Sequence, residues 1–83
     1  MIYEAIYSRH FVVEKWEYPT LQEAIDMLQG GNEEGELYPI AILDRAENKA
    51  WLPDTPGIYK VDYTKYIGDA QIEGHFPSFR EID

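Results

Sequence analysis

Eighty-three residues without a cysteine leave room for one domain, residues 1–83, and they exclude disulfides, thiolate metal sites and cysteine nucleophiles. Sixteen acids against seven bases give a net charge of −9, a field that repels nucleic acid and anionic membranes and favours basic partners. No basic, apolar leader opens the sequence and no apolar run approaches the ~18 residues that span a bilayer, so a soluble cytoplasmic protein is expected.

Residues 2–7 alternate Ile2, Glu4 and Ile6 with Tyr3, Ala5 and Tyr7, which predicts a strand. Ser8, Arg9 and His10 supply a turn, and Phe11 to Tyr18 is a second strand that pairs back on the first. One face of that strand carries Val12, Glu14, Trp16 and Tyr18, and the other carries Phe11, Val13, Lys15 and Glu17.

Thr20 followed by Glu23 has the spacing of a capping box. Leu21, Ala24, Ile25 and Leu28 then form one apolar stripe at helical spacing. Gly30 and Gly31 predict the end of this helix, and residues 30–36 (GGNEEGE) a loop with three solvated glutamates. The run LYPIAIL at 37–43 reads as a buried strand with Pro39 near its start. Residues 44–49 are a polar connection, and Ala50, Trp51 and Leu52 a short strand.

The segment GIYKVDYTKYI at 57–67 fits two periods. Its tyrosines 59, 63 and 66 fall on one helical face, yet Tyr59, Val61 and Tyr63 also alternate as in a strand. Gly57 in the first turn and the β-branched Ile58, Val61, Thr64 and Ile67 weigh against a helix. Residues 58–63 are therefore expected to be a strand, with Tyr59 and Tyr63 toward the core and Tyr66 exposed. Residues 64–67 stay open between strand, turn and helix. The order β-β-α-β-β-β predicts an α+β fold: a small antiparallel sheet of four to five strands with one helix packed on one face.

Chemistry-bearing constellations are scarce. His75 and Ser78 lack an orienting third group and a glycine-rich elbow, so no catalytic residue is assigned. Asn32 to Glu36 offers oxygens but not the ligand spacing of a calcium loop, and no metal or cofactor is expected. Lys60, Tyr63, Lys65 and Tyr66 interleave bases with aromatics, but Asp62, Asp69 and the overall charge oppose direct nucleic-acid binding.

Seven tyrosines and two tryptophans beside a strong negative charge suit a non-enzymatic protein-binding domain, an inhibitor or adaptor docking on a basic or mixed protein surface. The residues assigned to that surface are Tyr66, Lys60 and Lys65, then Tyr59 and Tyr63, then Glu33, Glu34 and Glu36. Two alternatives stay open. In size and charge the chain resembles the small acidic inhibitors encoded by phages and mobile elements, which mimic nucleic acid toward proteins that bind it. Equally, a homo-oligomer could hold a nucleotide-like ligand between subunits that join through an edge strand, for which the final strand is the candidate.

Overall fold

Arg9 faces Val12 across a two-residue connection, and both residues of that connection, His10 and Phe11, have positive φ (51° and 65°). Such a turn matches the right-handed twist of the strands it joins. It links β1 (Tyr3–Arg9) to β2 (Val12–Tyr18) in an antiparallel ladder running without a register shift from Arg9–Val12 to Tyr3–Tyr18. The turn thus includes Phe11, which the polarity pattern had placed in the strand. In the computed structural model the described residues are 2–54 and 63–77.

α1 (Leu21–Glu33) opens as its cap predicts: the Glu23 amide donates to Thr20 Oγ1 at 3.2 Å. It does not end at the glycine pair. Each glycine in a helix costs only about 1 kcal/mol, which packing can offset. The stop comes one turn later, at Gly35 with φ 73°. There the Gly35 amide donates to the Asn32 carbonyl at 3.0 Å and the Glu36 amide to the Gly31 carbonyl at 2.9 Å. These are the two reverse bonds of a Schellman ending. Leu37 then folds back over Gly31, in space that a β-carbon there would fill.

β3 (Tyr38–Asp44) pairs antiparallel with β1 on one side and with β4 (Lys49–Pro53) on the other. Pro39 sits beside the register shift opposite Ile6 and Tyr7, and β4 pairs with β3 only along residues 42–44. A missing amide is tolerated there. Asp44, buried at the end of β3, accepts from the amides of Ala46 (3.1 Å) and Glu47 (3.3 Å) and so shapes the turn into β4. Asn48 completes it at φ 55°.

The last strand among the described residues is β5 (Gln71–Phe76), and it joins β4 in parallel, giving the sheet order β2-β1-β3-β4-β5. The sheet is therefore mixed, not antiparallel throughout as expected. Parallel neighbours cannot be joined by a hairpin and need a crossover, which here carries the short helix α2 (Thr64–Ile67). The expected strand at 58–63 lies outside the described residues up to residue 62, and Tyr63 belongs to the turn before α2.

Both faces of the sheet are packed. α1 lies over β1 and β3, where Ala24 and Leu28 meet Ala5, Tyr7, Ile42 and Phe76. On the other face Ile67 and Ala70, at the end of the crossover, close over Ile6, Ile40, Leu43 and Leu52. Tyr3 and Trp51 meet edge to face at a centroid distance of 5.7 Å. No helix among the described residues is long and apolar enough to cross a membrane.

Candidate protein-binding surface

The β1–β2 hairpin is where the core stops and apolar side chains continue. Alternation sends Glu14, Trp16 and Tyr18 to the α1 side, opposite Tyr7, Ala5 and Tyr3. It sends Val13, Lys15 and Glu17 to the other side, opposite Ser8, Ile6 and Glu4. α1 reaches Tyr18, which is half-buried, but leaves Trp16 61% exposed. At the tip Phe11 is 88% exposed and Val12 57%. A bulky side chain at positive φ is rare and costs of order 1–3 kcal/mol. An exposed Phe11 gains little burial to offset that.

Two hollows flank the tip. On the α1 side a groove of about 300 Å³ runs between β2 and the end of α1, walled by Trp16, Tyr18 and Met27 and rimmed by Arg9, Glu34 and Glu36. On the other side a cleft of about 440 Å³ lies among Phe11, Val13, Tyr38 and Tyr66, again with Glu36 at its rim. Glu36, just past the Schellman ending, therefore borders both.

Charge around the hairpin is organised by two contacts. The Tyr7 hydroxyl donates to Glu14 Oε2 at 3.2 Å. Burial pushes the Tyr7 phenol above its ordinary pKa, and the bond to Glu14 and that carboxylate's charge add to the rise. Burial raises Tyr18 too, with Glu23 contributing. On the opposite face the buried Glu4 carboxylate takes Lys15 Nζ at 3.4 Å and Arg45 Nε. It thereby ties β2 to the β3–β4 turn. Glu17, directly across from Glu4, has no cation at salt-bridge distance among the described residues.

The residues assigned from sequence are only partly brought together. Glu33 ends α1 and Glu34 caps it, so neither lies in a loop, and both are exposed. Glu36 and Tyr66 share the 440 Å³ cleft, while Lys65 and Tyr66 line a separate hollow of about 400 Å³ with Arg45 and Asp69. Tyr59 and Lys60 lie outside the described residues. Tyr63 and Tyr66 exchange the roles expected of them. Tyr63, at the N-terminus of α2, is 38% exposed, and Tyr66 packs partly buried against the core. The helical turn at 64–67 causes this, because it rotates Tyr66 inward beside Ile67.

Sequence reasoning did not single out Phe11 and Trp16. A signal was present: the second strand places apolar and charged side chains on both faces, so neither face reads as core. Among the described residues no three His, Asp or Glu side chains gather as a metal ion would require. Comparison with protein-family models gave no match, and searches of curated proteins and of solved structures gave none either.

Proposed function

We propose that the chain is a non-enzymatic protein-binding domain that docks through the tip of the β1–β2 hairpin on a basic or mixed protein surface. The observation that carries this reading is Phe11, held at positive φ and almost wholly exposed beside Val12. Strain of this kind persists where the surroundings or a function require it. An aromatic anchor with an acidic rim from Glu34 and Glu36 suits a partner that presents an apolar pocket among lysines and arginines. The net charge of −9 would speed encounter with such a surface.

The test is affinity capture from the native host at low salt, with mass spectrometry, comparing the parent chain with Phe11→Ser and Tyr63→Ser. A protein retained by the parent and by Tyr63→Ser but lost with Phe11→Ser is the expected result. Identical retention by all three chains, or no specific retention by any, overturns the reading.

A further inference from the structure

The two edges of the sheet differ in how they are protected. β5 pairs with β4 through a register shift that leaves Glu73 without a partner in the ladder, between Ile72 and Gly74. Bulges of this kind bend an edge away from further pairing. β2 has no register shift against β1 and no proline between residues 12 and 18, and no strand among the described residues pairs with its outer side. Because Arg9 and Val12 close a two-residue hairpin as a hydrogen-bonded pair, residues 12, 14, 16 and 18 bond to β1. The N–H and C=O groups of Val13, Lys15 and Glu17 therefore point outward.

We infer that a second copy of this chain occupies that edge, its β2 antiparallel to the first and the two-fold axis passing at Trp16. Directly opposed residues share a face, so the axis must pass through a residue rather than between two, and the side chains choose which. Centring on Glu14 opposes two carboxylates, and centring on Lys15 opposes two ammonium groups. Centring on Trp16 sets Lys15 against Glu17 of the second copy, twice, and places the two indoles side by side. It also matches backbone groups, since Lys15 and Glu17 are both outward-facing and form hydrogen-bonded pairs, while Trp16–Trp16 falls at the closer non-bonded position.

The pairing also answers the position of Glu17. Its cross-strand neighbour Glu4 holds Lys15 and Arg45 of its own chain, and in the pair each Lys15, whose side chain is 61% exposed, is shared between its own Glu4 and Glu17 of the other copy. The product is one continuous ten-stranded sheet with both α1 helices on the same face. The two acidic grooves then meet across a floor of paired Trp16 side chains. Phe11 and Val12 lie beyond the paired stretch, so the dimer and the docking of the hairpin tip are independent of one another.

Sedimentation of the full chain across a concentration series tests the pairing. Raised ionic strength is used, because it screens the repulsion between two chains of charge −9. The parent is expected to show a monomer–dimer equilibrium. Lys15→Glu and Glu17→Lys should each weaken it roughly tenfold or more, by turning two attractive pairs into two repulsive ones. The double exchange K15E/E17K should restore it, and lysine at 17 then stands opposite Glu4 within each chain. Glu17→Pro, which removes an outward amide and leaves the β1 ladder intact, should weaken the dimer with unchanged circular dichroism. Phe11→Ser should leave it unchanged. A parent that stays monomeric, a dimer indifferent to Glu17→Pro, or a double exchange that fails to recover association overturns the proposal.

Discussion

The side chain of Leu37 occupies the place where a β-carbon on Gly31 would stand, with its Cδ2 2.5 Å and its Cγ 2.6 Å from that position. Next to it, Gly30 has no heavy atom within 4 Å of the corresponding position. Both glycines lie inside α1, and neither has positive φ. The two should therefore respond to alanine with opposite signs. Gly30→Ala restricts the unfolded chain and favours the helix, so a gain of about 0.5–1 kcal/mol is expected. Gly31→Ala gains the same propensity but must displace a buried leucine at the helix ending, for a net loss of about 1–3 kcal/mol. Urea unfolding of the two variants beside the parent checks both. A stabilised Gly31→Ala would mean that Leu37 yields without cost.

The hairpin tip should trade stability for binding. Replacing His10-Phe11 with Asn-Gly supplies residues that accept positive φ, and should stabilise the fold by ~1 kcal/mol. The same change removes the aromatic anchor, so a partner captured by the parent should be lost. Thermal melts and the capture experiment, run on one variant, read the two effects separately.

Tyr7 and Tyr18 predict the alkaline limb of stability. Each phenol has a folded-state pKa above its ordinary value of about 10. The unfolded chain then loses these protons first as pH rises. Their contribution is fully present below about pH 10 and disappears as pH climbs through the folded-state values. Stability measured by urea midpoint should therefore hold steady on this account through neutral pH and fall above about pH 10. In the double variant Y7F/Y18F the level drops, because the bond to Glu14 is gone, but the alkaline slope should flatten. An unchanged slope would place the titration elsewhere.

Local chemistry made several parts of the fold legible. The Thr20 oxygen and the Leu21–Ala24–Ile25–Leu28 stripe announce where α1 begins and which side it buries, because both depend on neighbours within one or two turns. The alternation in residues 2–18 likewise assigns Trp16 and Tyr18 to one face and Lys15 and Glu17 to the other. The apolar run at 37–43 reads as a central strand because nearly every side chain in it is apolar.

Three features were decided only by tertiary structure. α1 runs past its glycine pair because Leu37, coming from the next element, needs Gly31 beneath it and closes the helix at Gly35. β5 runs parallel to β4 because the connection carrying α2 brings the chain back to the Lys49 end of β4, where Ile67 and Ala70 pack on one face of the sheet while Phe76 of β5 is buried on the other. Trp16 is exposed because α1 lies chiefly across β1 and β3 and, on β2, reaches Tyr18 without covering Trp16. Polarity patterning reports which residues share a face, since that depends on backbone geometry alone. How far a helix reaches across that face depends on packing between distant segments, and the candidate surface at Phe11 and Trp16 arises from that reach.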